Sequence, residues 1–185
     1  MLEKIHQTAR EKMVKAIETL EHNFQTVRTG RASLHILDNV MVNAYGVETP
    51  IRQVATLSVP DARTMLIQPW DRGVMASVEK AILAANLGLT PNNDGKVIRL
   101  SVPPLTEERR KELVKVVKHM AEEERVAVRN VRRHTNEEIK KTEKQHEISE
   151  DNRHKMLKKV QELTDEYIKK IDELLQKKEA EIMEV

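Results

Sequence analysis

The chain contains no cysteine, few glycines and prolines, and almost no aromatic residues. Without cysteine it can form no disulfide, no thiolate nucleophile and no cysteine-ligated metal site. Aromatic residues make up only 2% of the 185 positions, so the core is predicted to be aliphatic. No apolar run approaches the roughly 18 residues of a membrane span, and the first ten residues lack the apolar segment of a secretory signal. These absences predict a cytoplasmic protein.

Charge is abundant and nearly balanced. Charged residues make up 34% of the chain and hydrophobic residues 39%, with a formal net charge of +2. This balance is typical of a helix-rich folded protein rather than of a disordered chain. The length is sufficient for one or two modest domains with their own cores.

Glycine and proline are confined to the middle of the chain. All five glycines and all six prolines lie in residues 30–104. Because they destabilise a helix interior by about 1 and 3 kcal/mol respectively, the two flanks are predicted to be helical. The middle carries 13 charged side chains and the flanks carry 49. The distribution predicts an α+β fold, in which residues 1–29 and 105–185 form one discontinuous helical domain and residues 30–104 form an inserted α/β domain.

Three long amphipathic helices are predicted in the flanks, because apolar residues recur there at spacings of three and four. Each apolar stripe needs a partner, so the helices are expected to pack as an elongated three-helix bundle. Thr106 and Ser149 are the expected N-caps of the second and third helices. The stripes are Leu2, Ile5, Ala9, Met13, Ala16, Leu20, Phe24 and Val27; then Leu113, Val117, Met120, Ala127 and Val131; then Leu157, Val160, Thr164, Tyr167, Ile171 and Leu174.

The insert is predicted to contain a small mixed sheet and one helix. The helix is expected over residues 74–86, with Val78, Ile82 and Ala85 on its inner face and Gly88 as its terminator. Alternating or β-prone runs predict the strands. These runs lie at residues 40–42, 53–59, 64–67 and 97–102.

The second flank helix is predicted to carry a basic outer face. On a wheel of 100° per residue, its basic residues fall within about 40° of one line opposite the apolar stripe. Guanidinium groups bind phosphates in a bidentate manner, and no aromatic residue interleaves them, so structured RNA is the predicted target. The alternative is a solvated outer face without a ligand. The row is Lys111, Lys115, Lys118, Arg125, Arg129 and Arg133, with Arg132 beside it and Glu122 interrupting it.

Motifs for catalysis are absent from the sequence. No glycine-rich phosphate loop and no G-x-S-x-G elbow occurs. Two Glu-x-x-His pairs, Glu3 with His6 and Glu143 with His146, have the spacing of di-iron bundle ligands. The wheel directs both pairs to solvent, so neither a metal nor a cofactor is predicted. We therefore expect a binding protein and no enzyme. A chaperone-like helical scaffold and a bundle metalloenzyme remain the alternatives.

Four segments together resemble one known family. They are residues 27–33 (VRTGRAS), residues 87–92 (LGLTPN), residues 103–111 (PPLTEERRK) and residues 126–133 (VAVRNVRR). In these segments, and along its whole length, the chain is similar to the bacterial ribosome recycling factors. The resemblance implies a three-helix bundle joined to an α/β domain by a two-stranded hinge, in an L shape of tRNA-like dimensions.

The resemblance also implies a function. Proteins of this family act on the post-termination 70S ribosome and separate its subunits together with elongation factor G, which hydrolyses GTP. The bundle lies on large-subunit rRNA, and the factor is expected to be a monomer. At the family's rRNA-contacting positions stand Arg110, Arg129, Arg132 and Arg133, and Arg28 lies in the matched R-T-G-R run.

Two further features follow from the resemblance. Gly30 on one connection offers backbone freedom, while Pro103 and Pro104 on the other keep the long helix out of the insert, so these residues are the expected hinge. The insert departs slightly from the family pattern, since Ala44 precedes Tyr45 where a second Tyr is usual, and Trp70 stands where another aromatic residue is common. These differences are expected to leave the RNA face unaltered and to affect contact with the GTPase.

Overall fold

The computed structural model describes residues 1–184 and has an α+β architecture, as predicted. Each flank is helical and the middle contains the strands. The helices are α1 (Leu2–Thr26), α2 (Met75–Ala84), α3 (Glu107–Lys144) and α4 (Glu150–Met183). The strands are β1 (Met41–Ala44), β2 (Val47–Pro50), β3 (Ala55–Asp61), β4 (Thr64–Pro69), β5 (Pro91–Asn93) and β6 (Ile98–Ser101).

The chain divides into two compact units. One comprises Met1–Thr29 and the chain from Thr106 onward, and the other comprises Gly30–Leu105. Leu105 therefore belongs to the insert, one residue beyond the border that the sequence predicts. Its side chain packs against Gly30, where an added Cβ would lie 3.1 Å from the Leu105 Cγ atom.

Helices α1, α3 and α4 form the bundle, and the N-terminal ends of α3 and α4 carry the predicted caps. The Thr106 hydroxyl accepts a hydrogen bond from the Arg109 backbone N–H at 3.2 Å. The Ser149 hydroxyl accepts one from Asn152 at 3.3 Å. Both caps are thus confirmed, and each satisfies an otherwise unpaired donor of the first turn. The α1 stripe is confirmed at the six residues that are buried in α1, while Leu2 is half-buried and Val27 is buried just beyond the end of the helix. The six are Ile5, Ala9, Met13, Ala16, Leu20 and Phe24.

The buried seam of α3 differs from the predicted stripe. Met120, Ala127 and Val131 are only half-buried. The predicted stripe advances seven residues from Leu113 to Met120 and seven more to Ala127. The buried seam instead advances eight residues, from Leu113 to Ala121, before it repeats at Val128 and Thr135, so the two differ by one position. In α4, Met156 and Leu163 join the predicted core, while Leu157 and Leu174 are half-buried. The buried residues of α3 are Leu113, Val117, Ala121, Val128, Thr135, Ile139 and Thr142.

The insert contains a β1–β2 hairpin and a four-stranded antiparallel sheet in the order β3-β4-β6-β5. Strands β2 and β5 were not predicted, because their sequences VETP and PNN lack an apolar alternation. Helix α2 ends at Ala84, and Asn86 takes the first left-handed conformation (φ 48°) before Gly88 is reached. Ala85 is consequently exposed rather than inward-facing. The core of the insert includes Met65, Ile67, Met75, Val78, Ile82, Ile98 and Leu100.

Candidate nucleic-acid interface

The first half of the predicted arginine row is neutralised within the bundle. Arg125 does not point outward as predicted: its side chain is only 19% exposed and forms ion pairs with Asp172 of α4 at 2.7 Å and with Glu122 at 2.9 Å. Arg129 is exposed, but it pairs with the other Glu122 oxygen at 3.0 Å. The wheel of α3 alone could not reveal this arrangement, because Asp172 belongs to a different helix.

The pKa shifts agree with this pairing. Hydrogen bonds from Arg125, and then from Arg129, hold the pKa of Glu122 below its ordinary value. For Arg125, burial acts to lower the pKa, but the hydrogen bonds with Asp172 and Glu122 outweigh it and the pKa is raised. Glu122 and Arg125 are therefore charged at neutral pH, and the carboxylates that pair with the arginines offset the positive field of this part of α3.

The second half of the row keeps its charge. Arg132 Nη1 donates to the Gln161 side-chain oxygen of α4 at 3.1 Å, and Arg133 donates to the side-chain oxygen of Asn130. Both partners are neutral amides, which orient a guanidinium without cancelling its charge. Within residues 1–184, no carboxylate lies within ion-pairing distance of Arg132 or Arg133. The two adjacent arginines thus form a concentrated positive patch, which we call the Arg132–Arg133 patch.

The other two predicted RNA contacts lie away from this patch. Arg110 is half-buried in the first turns of α3, 22 residues before Arg132, which corresponds to about 33 Å along the helix. Arg28 is exposed just beyond the end of α1. The structure therefore leaves the consecutive residues Arg132 and Arg133 each with a neutral partner and distributes the remaining candidates along the bundle.

The predicted hinge residues lie outside the helices and strands. Gly30 has a φ of 77°, a left-handed conformation that residues with a side chain rarely adopt. Pro103 and Pro104 precede the Thr106 cap, and α3 begins only at Glu107. Proline has no N–H and disfavours a helical conformation of the residue before it, so the helix cannot extend backward into the insert.

Tyr45 and Trp70 of the insert are exposed to 76% and 65% respectively. Tyr45 lies at the tip of the β1–β2 hairpin with a positive φ of 52°, and its hydroxyl donates to the Asp71 carboxylate. The Trp70 indole N–H donates to the Thr56 hydroxyl at 2.7 Å. Each side chain is therefore held by its polar end while its aromatic ring faces solvent.

The two Glu-x-x-His pairs differ in their surroundings. Glu143 is not on the outer face as predicted: it is half-buried and forms an ion pair with Arg153 at 3.0 Å. Glu3 is exposed and lies 3.4 Å from Lys159. Within residues 1–184, no group of three histidine, aspartate or glutamate side chains is arranged to hold a metal ion.

None of the helices described in residues 1–184 combines the length and the apolar character needed to span a bilayer.

Comparison with known proteins identifies the family. The family model described as ribosome recycling factor matches residues 20–183. The ribosome-recycling factor of Halothermothrix orenii is 54% identical over 185 residues, covering 100% of both chains. That of Caldicellulosiruptor bescii is 58% identical over 179 residues, covering 97% of each chain.

Solved structures give the same result. The solution structure of a ribosome recycling factor has a TM-score of 0.77 and 44% identity, covering 100% of this chain and 98% of that one. Models of the T. thermophilus ribosome recycling factor and the E. coli elongation factor G bound to the E. coli post-termination complex include a chain with a TM-score of 0.65 and 43% identity, with 100% coverage of both. In sequence and in fold, over its whole length, the chain belongs to the ribosome recycling factor family.

Proposed function

We propose that this chain recycles ribosomes after termination. Together with elongation factor G and GTP, it separates the post-termination 70S ribosome into subunits and releases it from mRNA. The partner hydrolyses GTP, and the chain contributes binding without a catalytic group or cofactor of its own. Family membership supports this proposal, as does the related factor that is bound with elongation factor G to a post-termination complex. The chain acts as a monomer in the cytoplasm, with the ribosomes on which it works.

The Arg132–Arg133 patch is the observation that carries the RNA-binding part of the proposal. The guanidinium groups of two consecutive residues are held by neutral amides, and their remaining N–H donors are available to phosphate oxygens. A merely solvated helix face would mix its arginines with acids, as the neighbouring Arg125 and Arg129 do with Glu122. We infer that Arg132 and Arg133 make the principal contacts to large-subunit rRNA, with Arg129, Arg110 and Arg28 as further contacts.

Two measurements with purified ribosomes test the proposal. In light scattering, post-termination ribosomes are expected to dissociate only when the chain, elongation factor G and GTP are all present. The affinity of the chain for large subunits is expected to fall linearly with salt on a logarithmic scale, with a slope of about −0.9 for each phosphate neutralised. Salt-independent binding would instead favour the chaperone-like scaffold, and dissociation without elongation factor G would contradict the proposed partnership.

We further propose that the insert swings as a rigid body about Gly30 and residues 103–104 when the partner acts. The left-handed Gly30 and the two prolines keep both connections free of regular structure, so rotation there breaks no helix or sheet. The exposed Tyr45 and Trp70 lie on the moving part. The angle between insert and bundle is expected to differ between the free chain and the chain on the ribosome with elongation factor G. The same angle in both states would contradict the swinging motion.

A further inference from the structure

Helices α3 and α4 are joined by a regular ladder of charged pairs. Lys118 lies 3.4 Å from Glu179, and Arg125 lies 2.7 Å from Asp172. From the first pair to the second, the position advances seven residues on α3 and moves back seven residues on α4. This is the repeat of two antiparallel helices in a left-handed bundle, in which equivalent pairs recur every heptad. The next pair in the series is Arg132 with Asp165.

Arg132 and Asp165 do not form this third ion pair. Arg132 donates to the Gln161 side-chain oxygen at 3.1 Å, and the Gln161 amide nitrogen donates to Asp165 at 2.8 Å. The Gln161 amide therefore lies between the Arg132 guanidinium and the Asp165 carboxylate, which would otherwise form the next pair of the series. Within residues 1–184, the heptad series of pairs thus has no ion pair at Arg132, where the Arg132–Arg133 patch begins, and the next ion pair between α3 and α4 is Glu143 with Arg153 at 3.0 Å.

The orientation of the Gln161 amide follows from its two neighbours. Its oxygen can accept from the Arg132 guanidinium, which only donates, and its NH₂ group can donate to the Asp165 carboxylate, which only accepts. The reversed amide would place donor against donor and acceptor against acceptor. Arg132 and Asp165 together therefore determine which end of Gln161 faces the arginine.

We propose that Gln161 and Asp165 are positioning residues of the RNA face. Gln161 holds the Arg132 guanidinium by a neutral oxygen, which leaves its charge available for a phosphate, and Asp165 fixes the Gln161 amide in that orientation. Gln161 also keeps Arg132 away from Asp165, which would otherwise neutralise it as Asp172 neutralises Arg125. This inference rests on the proposed function, because it assumes that Arg132 contacts rRNA.

Large ribosomal subunits are the probe for the test. Gln161→Ala is expected to weaken their binding about tenfold at low salt, because Arg132 then pairs with Asp165 and one charge-assisted phosphate contact is lost. The salt slope is expected to decrease by about one phosphate equivalent. Adding Asp165→Asn to Gln161→Ala removes the competing carboxylate, and the affinity is expected to return to within about threefold of the unmodified chain.

The double variant separates positioning from a structural role, because a loss caused by damaged packing would not be restored by a second substitution. Gln176→Ala is the matched control, since Gln176 is an exposed glutamine of the same helix and is expected to change nothing. A Gln161→Ala chain that binds normally, or a double variant no better than the single one, would overturn the inference. If Arg132→Ala also bound normally, the proposed contact between Arg132 and rRNA would be wrong. If Arg132→Ala bound weakly, only the positioning role of Gln161 and Asp165 would be wrong.

Discussion

Arg132→Ala is expected to weaken binding to the large ribosomal subunit by about 10-fold to 100-fold at low salt. The substitution removes a guanidinium whose charge no carboxylate of residues 1–184 offsets, and a charge-assisted contact to phosphate is typically worth about 1–3 kcal/mol. Subunit separation with elongation factor G is expected to require a correspondingly higher concentration of the chain. Equilibrium binding and light scattering measure the two effects.

Two variants on the same helix serve as controls. Arg125→Ala removes the same side chain one heptad earlier, where Asp172 and Glu122 already neutralise it. It is expected to lower thermal stability slightly, since the partly buried guanidinium and its ion pairs with two exposed carboxylates are lost, and to leave ribosome binding nearly unchanged. Glu122→Gln removes the acid opposite Arg129 and is expected to tighten binding. Equal losses for Arg132→Ala and Arg125→Ala would contradict the role assigned to the patch.

Much of the fold follows from the sequence because the bundle depends on local rules. The α1 stripe is correct at every buried position, since 25 residues are too few for the apolar pattern to drift far from an ideal helix. In the 38-residue α3, the predicted Met120 and Ala127 each lie one residue before the buried Ala121 and Val128, because α1 and α4 together decide which side of α3 is covered. The strands β2 and β5 were missed for a different reason: their pairing partners, not their own side chains, make them strands.

The site was less predictable than the fold. The sequence locates the arginines, but it cannot show that Arg125 is occupied by Asp172 while Arg132 meets a neutral amide, because these partners are 47 and 29 residues away. The sequence does contain part of this pattern. Lys118, Arg125 and Arg132 follow one another at intervals of seven residues, and so do Asp165, Asp172 and Glu179. Matching the two series requires the antiparallel register of α3 and α4, which a single-helix wheel does not contain.

The packing of one residue is expected to control the stability of the bundle. Ile139 of α3 is fully buried in a cluster with Ile5 of α1 and with Met156 and Val160 of α4. It therefore joins all three helices. Ile139→Ala is expected to lower the free energy of unfolding by about 2–5 kcal/mol, because apolar contacts are lost and the long helices cannot move together to fill the cavity. Urea denaturation followed by circular dichroism measures the change.

Val116→Ala is the matched control for this prediction. Val116 is an apolar residue of the same helix, but its side chain is exposed, so its truncation is expected to change the free energy of unfolding by no more than about 0.5 kcal/mol. Both variants replace a β-branched residue by alanine, a change that by itself slightly favours the helix. The difference between their free energies of unfolding therefore reports the effect of burial. If Ile139→Ala were as mild as Val116→Ala, the three helices would not depend on this cluster, because an alanine would then satisfy the same packing.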